Sequence, residues 1–104
     1  MAKYLFVYHG GSSPQTPDEV SGVMRAWSDW FASMGAAVAD PGNPVGLSTT
    51  VNSDGSITHN GGSNPASGYS LIEAASLDAV IEHARKCPIL AAGGSIELAE
   101  VIEM

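Results

Sequence analysis

His9 and His59 are the side chains best suited to proton chemistry in this sequence. Each stands where an apolar run gives way to glycine: His9 precedes Gly10-Gly11, and His59 precedes Asn60-Gly61-Gly62. An imidazole at the end of an element, with pliable backbone beyond it, can serve as base or ligand near neutral pH. Asp40 opens the rigid loop Asp40-Pro41-Gly42-Asn43-Pro44, a place where Asp is also the ordinary turn residue. Glu73 rises from an apolar segment, and burial there would raise its pKa and single it out. His9, Asp40 and His59 are therefore the expected acid–base groups, with Trp30 and Glu73 beside a ligand. Trp27 is expected in the core. Convergence of the two histidines with Asp40 or Glu73 would make a metal site, but no short ligand spacing supports one, so no metal and no cofactor are expected. No GxGxxG, GxxxxGK[ST] or GxSxG pattern occurs, which argues against phosphate loops and a hydrolase elbow. The one cysteine, Cys87, cannot form a disulfide within the chain and reads as a small buried hydrophobe of a reducing cytoplasm.

Charge narrows the partners. Four basic residues against eleven acidic ones give −7, the wrong sign for a nucleic-acid backbone. With 44% hydrophobic and 14% charged residues the chain is a folding one, and its 104 residues fit a single domain over positions 1–104. The opening apolar run is too short and too polar for a secretory leader, and no stretch approaches a membrane span, so a soluble cytoplasmic protein is expected.

The elements that must position these side chains follow from periodicity. Residues 3–9 alternate as a strand, with Tyr4, Phe6 and Tyr8 on one side and Leu5, Val7 and His9 on the other. Thr16-Pro17-Asp18-Glu19 is a helix start with a cap, a first-turn proline and a capping-box glutamate. Val20, Val23, Met24, Trp27, Phe31 and Met34 then recur at helical spacing up to Gly35, with Trp30 at the stripe's edge. Residues 36–39 read as a short strand, and the prolines of residues 40–44 are expected to preclude ladder pairing. Residues 47–51 and 56–59 form a hairpin around Asn52-Ser53-Asp54-Gly55. Residues 68–74 make a strand, Ser76 caps a second helix that ends at Cys87-Pro88, and residues 95–104 close the chain as a strand.

That order is α+β: a split β-α-β, ferredoxin-like unit, an antiparallel sheet with two helices on one face. Helices on one face leave the other bare. Tyr4, Phe6 and Tyr8 are expected to form that bare face and to be covered by a second copy about a two-fold axis, giving a homodimer.

The segments AKYLFVYHGG, GYSLIEAASLDAVIEHARKCP and GGSIELAEVIEM resemble the YCII-related, or DGPF-domain, proteins over nearly the whole chain. The resemblance implies the dimeric α/β-barrel fold, and most of that family has no assigned reaction. Where the family often carries Asp-Gly-Pro-Phe, this chain reads His59-Asn60-Gly61-Gly62-Ser63-Asn64-Pro65. Its first helix holds no histidine, so the His–Asp pair proposed for some relatives does not carry over. Three functional readings follow: small-molecule binding in a cleft between sheet and helices, with acid–base catalysis as its extension; a non-catalytic dimeric interaction or accessory module; and a metal- or cofactor-dependent oxygenase-like protein.

Overall fold

The computed structural model describes residues 1–12 and 14–104; Ser13, expected in the turn after the first strand, lies outside them. The elements run β1 (Ala2–His9), α1 (Pro17–Met34), β2 (Val38–Asp40), β3 (Thr49–Val51), β4 (Ile57–His59), β5 (Ala66–Ala74), α2 (Leu77–Arg85), α3 (Pro88–Ala91) and β6 (Ser95–Glu100). The main sheet has the order β2-β5-β1-β6 with every neighbour antiparallel, while β3 and β4 form a separate two-stranded hairpin. With the hairpin set aside, this is the expected β-α-β-β-α-β order.

Local chemistry explains the helix ends. Thr16 Oγ1 accepts from the Glu19 amide at 3.1 Å, and Pro17 fills the first helical position, which needs no N–H partner. Glu19 turns its carboxylate back to accept from the Gln15 amide at 2.6 Å, one residue before the position a capping box would use. Ser76 caps α2 in the same way, its Oγ accepting from Ala79 N at 3.2 Å.

The core lies between the sheet and the two long helices. Phe6, Ile72 and Val80 are fully buried there, with Tyr4, Tyr8, Trp30, Met34, Ala84 and Cys87 around them. Phe6 packs on Trp30 at 6.2 Å between ring centroids, and Tyr8 meets Trp27 edge-on at 5.0 Å. The edge-on Tyr8–Trp27 pair is one of the favoured aromatic geometries, and the Phe6–Trp30 pair is tilted by 36°.

This overturns the expected open face. Tyr4, Phe6 and Tyr8, at 5% exposure or less, lie beneath the chain's own helices. Period-two alternation shows which residues share a face; it does not say which face receives the helices. The bare face carries the other set: Leu5 paired with Leu71 and Val7 with Tyr69, all half-buried, beside Lys3 and Glu73.

Other expectations shift for local reasons. Residues 35–37 form a 3-10 turn before β2, because α1 unwinds through Gly35 rather than stopping there. Pro44 does join the sheet, bridging to Gly68: its neighbours Asn43 and Val45 supply the pairing groups, so its missing N–H is not needed. Pro88 starts the short helix α3 instead of ending helical structure. β6 stops at Glu100, and Ile102 is exposed. The hairpin projects from the body, with Leu47, Val51 and Ile57 largely exposed, and the molecule measures 43 × 42 × 18 Å. Among the described residues no helix is long and apolar enough to cross a membrane.

Candidate functional site

A pocket of about 550 Å³ opens at the edge of the helix-covered face. One wall is α1, through Val23, Met24, Trp27, Ser28 and Phe31; the other is the 41–44 loop with Ser67, Gly68 and Tyr69 of β5; Tyr8 closes the bottom. Among the described residues that line the pocket, none carries a carboxylate, imidazole, ammonium or guanidinium group.

The loop wall is built with care. Asp40 Oδ1 accepts from the Gly42 amide at 2.8 Å, an Asx turn that folds the chain back on itself. Gly42 adopts φ +70°, and a Cβ there would sit 1.8 Å from the Tyr69 carbonyl oxygen, so only glycine lets the loop lie this close to β5. The Tyr69 amide then donates to the Asn43 carbonyl at 3.2 Å and the Val45 amide to the Ser67 carbonyl at 3.0 Å. Beneath this, the Tyr8 hydroxyl donates to Ser70 Oγ at 2.7 Å, and Ser70 donates to the Pro41 carbonyl at 2.6 Å. Burial pushes the Tyr8 phenol well above its ordinary pKa, against the opposing pull of the Ser70 bond, so it stays neutral at physiological pH. The Ser67 hydroxyl oxygen is buried and has no hydrogen-bond partner among the described residues.

The five residues singled out by sequence lie elsewhere. His9 is buried at the end of β1, with Nε2 3.0 Å from Glu97 Oε1 and Nδ1 3.2 Å from the Pro65 carbonyl oxygen. Both ring nitrogens face acceptors, so the ring ties β6 and the segment before β5 to β1. His59 is exposed on the hairpin opposite Thr49. Asp40 shapes the loop from outside the pocket wall, and Glu73 lies across from Lys3 on the bare face. Trp30 is core: its Nε1–H donates to the His83 carbonyl at 2.9 Å, joining α1 to α2, and it borders a second, more open concavity of similar volume near Cys87. His9, Asp40 and His59 are thus not brought together around this pocket. Among the described residues no group of three or more His, Cys, Asp or Glu could hold a metal ion. Burial pushes the Cys87 thiol up to about 12, so it is a packed hydrophobe rather than a nucleophile.

Trp27, not Trp30, walls the pocket. Three residues apart, the two are about 60° apart around the helix, enough for one to face the core and the other its rim. The available sign was the surplus of large apolar residues on the first half of α1: Val20, Val23 and Met24 remain substantially exposed, more than a helix buried against one sheet needs.

No protein-family model matches the chain, and no curated protein does. Among solved structures the fold is similar to that of 5-chloro-2-hydroxyhydroquinone dehydrochlorinase (TftG) from Burkholderia phenoliruptrix AC1100, in complex with 2,5-dihydroxybenzoquinone. The TM-score is 0.55 at 17% sequence identity, over 96% of this chain and 95% of that one. At that identity the likeness is one of fold.

Proposed function

We propose that this protein binds a small molecule in the pocket between α1 and the 41–44 loop. The observation that carries the reading is the pocket itself: about 550 Å³, walled by Trp27, Phe31, Tyr8 and Met24, with its loop wall held by the Tyr8–Ser70–Pro41 chain. Cavities of this size and apolar character are the usual form of ligand sites. A full-length fold likeness to an enzyme whose structure holds a small quinone supports it, as it supports membership of the YCII-related family. The reading assigns no catalytic residue and no reaction. The test is thermal: apolar aromatic compounds raise the unfolding temperature by mass action, and Ser28→Trp, which fills the rim from an exposed helix position, abolishes the shift. Equal shifts in both proteins contradict the reading.

We also infer a homodimer through the bare sheet face. Leu5, Val7, Tyr69 and Leu71 make that face apolar at its centre, and the molecule is only 18 Å thick, so a second copy would supply the missing layer. The single unpaired cysteine suits a reducing cytoplasm.

A further inference from the structure

We propose that the pocket takes an uncharged, largely apolar ligand and admits an ionisable one only in its neutral form; this rests on the pocket being a ligand site. The selection comes from where the chain puts its charges and from how the wall's polar groups are already used.

The chain has only four basic side chains, and none of them lines the pocket. Lys3 lies opposite Glu73 on the bare sheet face, Arg85 and Lys86 border the concavity near Cys87, and Arg25 is exposed on α1. An anion entering would lose its water and meet no counter-charge, in a chain of net charge −7. A cation has the overall field in its favour, yet the described wall gives it no carboxylate either. Asp40, tied to the loop wall through the Gly42 amide, is exposed and stands outside that wall. Its attraction acts through water and is weak there, so the cost of burying the cation goes uncompensated.

The polar groups of the loop wall are largely paired among themselves. The Gly42 amide donates to Asp40, the Tyr69 amide to the Asn43 carbonyl, and the Tyr8 hydroxyl to Ser70. The Pro41 and Ser67 carbonyls already accept from Ser70 and Val45. Pro41 and Pro44 have no N–H to offer. Little is left to solvate an ion. What the pocket does offer is apolar surface: Val23 and Met24, 41% and 66% exposed, line it, and an apolar body would take that surface out of water.

Two-dimensional amide and indole NMR of the full chain, titrated with 2-naphthol, 2-naphthoate and 4-phenylimidazole, tests this. The Trp27 indole should shift with 2-naphthol, and 2-naphthoate should bind at least about tenfold more weakly. 4-Phenylimidazole isolates charge from shape, because its ring gains a proton near the ordinary imidazole range, around pH 6.5. About one pH unit below its pKa only roughly a tenth of it is neutral, so it should bind about tenfold more weakly there than two units above. 2-Naphthol, uncharged at both pH values, should bind alike. Phenylimidazole that binds as well or better when protonated, or naphthoate that matches naphthol, overturns the selection and leaves the pocket standing. If none of the three probes shifts the Trp27 indole, the pocket reading falls and this inference with it.

Discussion

Tyr8, opposite Gly68 in the β1–β5 pairing, reaches diagonally to Ser70, opposite Phe6, and the two share a buried hydrogen bond of 2.7 Å, which Ser70 extends to the Pro41 carbonyl. A residue of the sheet interior thereby fixes the position of a surface loop, and that loop is one wall of the pocket.

The two hydroxyls are not equivalent. Ser70→Ala strips a partner from a buried phenol and releases Pro41, so it should cost about 1–3 kcal/mol. Tyr8→Phe leaves the Ser70–Pro41 bond in place and should cost roughly 1 kcal/mol. Urea denaturation of the two variants checks the order, and backbone exchange at residues 41–44 should rise in Ser70→Ala alone.

The tryptophans should separate by role. Trp30→Phe loses the bond to the His83 carbonyl that joins α1 to α2 and should cost about 1–3 kcal/mol of stability, with pocket affinity little changed. Trp27→Ala should weaken probe binding about tenfold or more, as expected of an aromatic anchor. Denaturation and NMR titration of both variants read the two effects independently.

Alkaline pH should destabilise the fold in two stages. The Cys87 thiol is pushed up to about 12 by burial, and the Tyr8 phenol is raised as well, chiefly by burial. Both stay protonated in the native state above the pH at which the unfolded chain releases its protons, so the unfolded state then binds fewer protons and stability falls as pH rises. The decline should begin near pH 9 with Cys87 and steepen above about pH 10 with Tyr8. Cys87→Ala should flatten the first stage in urea midpoints measured from pH 7 to 11. The native thiol should also resist alkylation at pH 8.

Light scattering should give twice the 10.7 kDa chain mass, and Leu71→Arg, placing a charge at the centre of the bare face, should return it to the chain mass. A wild-type chain at its own mass at micromolar concentration contradicts the paired-sheet arrangement.

Much of the scaffold was legible in the residues. Thr16-Pro17-Asp18-Glu19 and Ser76 start helices where their capping chemistry requires, and Asp54-Gly55 turns the hairpin between Val51 and Ile57. The candidate site was not legible. Acid–base types drew attention to His9, Asp40 and His59, but His9 is consumed by Glu97 and Pro65, Asp40 by its own turn, and His59 lies on a projecting arm. The pocket is made instead from residues with no chemical signature, Gly42 through its φ and Tyr8 through its partner. Those properties arise only when the 41–44 loop meets β5, a contact that no local pattern encodes. The choice of sheet face for the helices was hidden likewise, since Tyr4 and Leu5 are equally apolar choices for a core.

The most direct test of the pocket is a crystal structure of the protein soaked with 2-naphthol. The ring should lie between Trp27 and the 41–44 loop. A ring seated on the bare sheet face or in the concavity near Cys87, with the Trp27 pocket empty, would contradict the account.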